Sequence, residues 1–164
     1  MKYVRLPGIE DNELYYFEVD DRNAAYRQIV VTDNYHYAIS TAPDFQLSEI
    51  EIEYADDELI GEAEFQKIWD LALEPYREEW NHTKRKYSLG QEINGVIQMF
   101  YPQGIIIRGN DNVYAVTNYE AVKRQIKPEY LNPGYKISGV IKDYDDKNFW
   151  FVLEDCSMTG DRIS

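Results

Sequence analysis

Two stretches in the second half of the chain echo one another: Gly90-Gln91-Glu92-Ile93-Asn94-Gly95-Val96-Ile97 and Gly134-Tyr135-Lys136-Ile137-Ser138-Gly139-Val140-Ile141. Each reads as a strand entered through a glycine and carrying a second glycine in its interior. A glycine inside a strand marks a bend, a bulge or a close backbone approach. A strand that coils around a small barrel needs such a point, and a chain that supplies it twice is strongly constrained.

The segments around the echo complete a strand pattern. Gly104-Ile105-Ile106-Ile107-Arg108 and Val113-Tyr114-Ala115-Val116-Thr117 are joined by Gly109-Asn110-Asp111-Asn112, a strong hairpin signal. A short helical or irregular piece from Tyr119 to Pro128 leads to the second echo. The turn Asp143-Tyr144-Asp145-Asp146-Lys147-Asn148 then precedes a last strand, Phe149-Trp150-Phe151-Val152-Leu153. Three strands in a meander, an insert and a final hairpin predict an all-β, five-stranded barrel of the oligonucleotide/oligosaccharide-binding (OB) type over residues 87–164.

This segment resembles the RNA-binding barrel repeated in ribosomal protein S-one and carried by several ribonucleases. The family's opening pattern of glycine, apolar residue, glycine and valine is matched by Gly90, Ile93, Gly95 and Val96, and its aromatic-then-glycine step by Tyr101 and Gly104. Gly134 through Val140, with Asp143 and Asp145, resembles its fourth-strand region. The resemblance implies single-stranded RNA as a ligand. Members stack bases on an aromatic of the second strand and a histidine of the third, and those positions fall on Ile106 and Ala115 here, with Thr117 kept as the small polar residue that closes the third strand. Phe100, Tyr101 and Tyr114 are the aromatics left to substitute.

The first half resembles no family with a known function. Lys2–Leu6, Glu13–Val19, Tyr26–Thr32 and Tyr35–Ser40 read as strands of a small antiparallel sheet, with Tyr15, Phe17 and Val19 on one face and Asp33-Asn34 as a tight hairpin turn. Glu49-Ile50-Glu51-Ile52-Glu53-Tyr54 alternates acid with apolar residues and predicts a half-buried strand or an extended edge. A long helix follows over about 62–86. Phe65, Ile68, Trp69, Ala72, Tyr76 and Trp80 fall at spacings of three and four and make one stripe, read as a core face on the tyrosine-rich sheet rather than a groove lined by Trp69, Tyr76 and Trp80. Pro75 inside the stripe predicts a kink or a split. An α+β domain over 1–86 results.

Charge separates the two halves. Residues 1–83 hold 6 basic and 20 acidic side chains, net −14; residues 84–164 hold 11 and 10, net +1; together they give the −13 of the chain. A polyanion held by phosphate neutralisation would be repelled by the first half. With no apolar leader after Met1 and no run long enough to span a membrane, a cytoplasmic protein is expected. Cys156 is the only cysteine, so no intrachain disulfide forms.

No motif points to catalysis. His36 and His82 have no nucleophile or second histidine at triad or ligand spacing. Asp143, Asp145, Asp146 and Asn148 resemble the start of a calcium loop but lack its glycine and distal glutamate. No metal and no cofactor are expected. Two surface clusters remain. The acidic one, Glu49, Glu51, Glu53, Asp56, Asp57 and Glu58, suits a basic protein partner. The other joins Lys84, Arg85 and Lys86 to Lys123, Arg124 and Lys127 of the insert, with Arg108, Tyr101 and Tyr114, and suits single-stranded RNA if its two basic groups converge at one end of the barrel. The sequence favours a non-catalytic protein-binding module, similar in size and charge to the immunity proteins that neutralise nuclease toxins, with RNA binding by the barrel as the alternative.

Overall fold

The computed structural model describes residues 1–163, the side chain of Asn34 excepted. It is an α+β structure with one long helix, an antiparallel sheet and a closed five-stranded barrel. It divides into two compact units, Met1–Tyr76 and the chain from Arg77 onward. Each is taken by itself.

The first unit is a five-stranded antiparallel sheet in the order β4-β3-β2-β1-β5, built from β1 (Lys2–Pro7), β2 (Leu14–Val19), β3 (Ala25–Thr32), β4 (His36–Ile39) and β5 (Leu59–Ile60). Tyr15, Phe17 and Val19 do share one face, where they pack with Val4, Leu6, Ala25, Leu47, Ile52 and Tyr54. The opposite face carries a cross-strand row in which Tyr3 pairs with Glu18 and Glu18 with Arg27. On this face the first turns of helix α1 (Glu62–Lys86) pack: the Phe65 ring lies 5.2 Å from that of Tyr3, and the Arg27 guanidinium stands 4.8 Å from Phe65 and 5.0 Å from Trp69. With both faces covered, the strands show less polar–apolar alternation than a half-exposed sheet would.

Three expectations for this half are corrected. The turn between β3 and β4 is a three-residue 3-10 turn, Asp33–Tyr35, with Tyr35 in the left-handed region at φ 56°, not a two-residue hairpin. Residues 49–54 form no strand: they run as irregular chain with Ile52 buried and Ile50 exposed. Helix α1 is unbroken through Pro75, so the split does not occur. Pro75 lies on the exposed side, where water can satisfy the carbonyl that loses its amide partner.

In the second unit β6 (Glu92–Tyr101), β7 (Gly104–Arg108), β8 (Tyr114–Thr117), β9 (Lys136–Asp145) and β10 (Trp150–Ser157) close in the order β10-β8-β7-β6-β9. All pairings are antiparallel except β8 with β10, which runs parallel and seals the barrel. The interior holds Ile93, Ile97, Ile105, Ile107, Ala115, Ile137, Ile141, Phe151 and Leu153. The echoed glycines lie diagonally across the β6–β9 ladder, where Ile93 pairs with Gly139 and Gly95 with Ile137. A Cβ on Gly95 would stand 2.5 Å from the Arg108 carbonyl oxygen, so the second strand's backbone occupies the place of a side chain. The hairpin between β7 and β8 turns through Asp111 and Asn112, both at positive φ, which short polar side chains tolerate.

The helix stripe does not serve one core. Phe65 and Trp69 pack in the first unit, whereas Trp80 belongs to the barrel core, 5.8 Å from the Phe149 ring and 5.2 Å from that of Phe151. A groove lined jointly by Trp69, Tyr76 and Trp80 is not supported, since Trp69 and Trp80 are both buried. Among the described residues no helix is long and apolar enough to cross a membrane.

Candidate interaction surfaces

The acidic cluster lies on the irregular chain between β4 and β5. Glu49, Glu51, Glu53, Asp56 and Asp57 are exposed, and none forms an ion pair or side-chain hydrogen bond among the described residues. Glu58 differs. It is half-buried, and its Oε1 accepts the Ala55 amide at 2.8 Å, closing the 3-10 turn Asp56–Glu58. The segment is held at fixed points. The Ser48 amide donates to Oε1 of buried Gln28 at 2.7 Å, and the Ile52 amide donates to the Asn23 carbonyl at 2.9 Å. Between these anchors Ile50 stands 76% exposed, flanked by Glu49 and Glu51. Five unneutralised carboxylates and one apolar side chain are thus displayed on a chain whose course is already set.

The basic residues are held by local contacts of their own. Lys84 Nζ bonds Asp146 at 2.7 Å in the turn from β9 to β10, and its ammonium lies 5.5 Å from the Trp80 ring. The Asp146 carboxyl, which accepts from Lys84 first and from Trp80 Nε1 second, is held below its ordinary range, with partial burial opposing. Lys84 is therefore occupied, and only Arg85 and Lys86 beside it remain as exposed cations. The insert follows Thr117, which lies beside Leu153, and Lys84 meets the turn that precedes Trp150. Helix α2 (Tyr119–Lys123) is capped by Asn118, and a 3-10 turn follows at Pro128–Tyr130. On these, Lys123 stands 5.8 Å from the Tyr119 ring and Lys127 5.9 Å from the Tyr130 ring, while Arg124 is exposed.

Arg108 and Tyr114 are cross-strand partners at the hairpin end of β7 and β8. Tyr101 closes β6, is more than half buried, and has its hydroxyl pushed far up by that burial, so it stays neutral. Of the two positions that the family resemblance assigns to base stacking, Ala115 points into the barrel core and Ile106 is fully buried. Neither is a platform. Thr117 is buried and its hydroxyl donates to the Leu153 carbonyl at 3.0 Å, a structural bond at the seam. Cys156 is half-buried; burial pushes its thiol up, and a hydrogen bond to Thr117 pulls it partly back. A thiol so held is a poor nucleophile.

Asp145, considered above as the start of a calcium loop, is already satisfied. One carboxylate oxygen accepts the Lys147 and Asn148 amides at 2.9 and 3.1 Å, and the other accepts Asn148 Nδ2 at 2.9 Å and Trp150 Nε1 at 3.0 Å. These bonds shape the turn.

Sequence reasoning missed a pair that the fold brings together, Phe100 at the end of β6 and Tyr119 at the start of α2, whose rings meet edge to face with centroids 5.9 Å apart. Met99-Phe100-Tyr101, three apolar residues in a row at a strand end, is the local sign that one of them faces out. No family model matches the chain, and no curated protein matches it.

Proposed function

We propose that this protein is a non-catalytic cytoplasmic binding module that engages a basic protein through the acidic segment 49–58. The observation that carries the reading is the set of five exposed carboxylates, Glu49, Glu51, Glu53, Asp56 and Asp57, without an internal cation. Like charges held this close repel one another, and a cationic partner relieves that repulsion while the long-range field speeds encounter. The fixed course of the segment lowers the ordering cost of binding. Ile50 supplies the apolar contact that charge alone lacks. The comparison with immunity proteins is one of size and charge.

In this reading the barrel is of the OB type. A three-strand meander followed by a hairpin, with the fifth strand closing on the third, supports that assignment. The barrel does not bring base-stacking platforms at Ile106 and Ala115, which favours a scaffold role for its strand face over RNA binding there.

The test is capture from a cell extract on wild-type protein and on the variant Glu49→Lys, Glu51→Lys, Glu53→Lys. A basic protein should be retained by the wild type at low ionic strength, released as salt screens the surface, and absent from the variant. Equal retention by both, or no retained protein at low salt, overturns the proposal.

A further inference from the structure

A cleft in the second unit lies between the β6–β7 turn and the start of α2. Phe100 and Tyr101, Asn118 to Glu120 and Leu131 are among the residues that enclose about 470 Å³ there, within the range of small-molecule sites, about 300–1,000 Å³. Phe100 and Tyr119 form its aromatic walls and are left 40% and 38% exposed. Two large rings left open beside Leu131 offer surface that a flat ligand covers favourably.

Polar groups line the cleft beside the rings, Gln103, Asn118 and Glu120 among them. Asn118 Oδ1 already accepts the Ala121 amide at 2.9 Å, which leaves the side-chain amide nitrogen as a donor. The Glu120 side chain is exposed and has no partner among the described residues, so its carboxylate is a free acceptor. Lys123 does not line the cleft, but its ammonium is seated 5.8 Å from the Tyr119 ring that does. The Asn118 donor, the Glu120 acceptor and two aromatic rings, with a cation beside the Tyr119 ring, match a planar heterocycle that carries donor and acceptor side by side on its edge and an anionic group at a distance.

We propose that this cleft binds a purine nucleoside monophosphate. The ring lies against Phe100 and Tyr119, its edge meets Asn118 and Glu120, and its phosphate meets Lys123. The site is separate from the outward strand positions of the barrel and does not depend on the acidic segment.

The probes are guanosine and adenosine monophosphate, titrated into the whole chain while binding is followed by isothermal calorimetry. At least one should bind saturably. Phe100→Ala and Tyr119→Ala should each weaken binding at least about fivefold, since aromatic stacking contributes that much per base, with the thermal midpoint nearly unchanged. Lys123→Gln should weaken the monophosphate and leave the parent nucleoside unaffected. Absence of a saturable response to either probe up to millimolar concentration overturns the proposal. So does binding that both aromatic variants leave intact. If a short single-stranded RNA binds and neither monophosphate displaces it, the cleft is not the site and the surface belongs to a strand.

Discussion

Arg27 lies directly opposite Glu18 in the β2–β3 register, and its Nε and Nη2 donate to the two carboxylate oxygens at 3.0 and 2.8 Å. The pair is almost entirely removed from water, with Arg27 2% exposed beside the Phe65 and Trp69 rings. Removing one partner strands the other charge. Arg27→Ala is expected to cost about 3–5 kcal/mol, whereas replacing both residues with apolar side chains of similar volume should cost far less or stabilise. Urea unfolding of the single and double variants checks this; a double variant as damaged as the single one would contradict it.

The close approach at Gly95 gives a prediction for the barrel. A methyl group there meets the Arg108 carbonyl oxygen, an immovable neighbour because it belongs to the β7 backbone. Gly95→Ala should therefore cost about 1–3 kcal/mol, the usual penalty of overpacking. The effect should appear in the thermal unfolding of the chain, while Gly61→Ala, where nothing lies within 4 Å of the new Cβ, serves as the tolerant control.

Lys84 and Asp146 give a pH-dependent prediction. The Asp146 carboxyl is held below its ordinary range by Lys84 first and Trp80 next. A carboxyl depressed in the folded state contributes stability above its unfolded pKa, about 3.9, and that contribution is lost as pH falls through the lower folded value. Asp146 is two-thirds exposed, so Lys84→Ala should cost only about 0.2–1 kcal/mol at pH 7. Denaturation midpoints of wild type and variant should converge as the pH drops below the carboxylate range. A gap of unchanged size in acid would show that Lys84 acts through packing on Trp80 instead.

The barrel was legible because its signals are local. Gly95 and Gly139 mark close approaches, Asp111-Asn112 marks a turn at positive φ, and each can be read without knowing the rest of the fold. The helix stripe was legible as a face but not as a destination: spacings of three and four place Phe65 and Trp80 on one side, and nothing in them says that Trp80 enters a different core. Residues 49–54 misled because acid–apolar alternation copies the two-residue period of a strand. The period needs a ladder partner to mean anything, and there the chain instead buries Ile52 and turns Ile50 to solvent. The Phe100–Tyr119 contact depends on how the end of β6 meets the start of the insert, a long-range fact that no local pattern carries.

The parallel seam also sets an order of events during synthesis. β10 follows the other barrel strands in sequence, and it alone bridges β8 and β9. Until it emerges from the ribosome, the nascent chain holds at most a four-stranded curl with an unpaired edge on β8 and another on β9. Such edges recruit other strands, so this interval is when the chain is most open to capture by a neighbour or a chaperone.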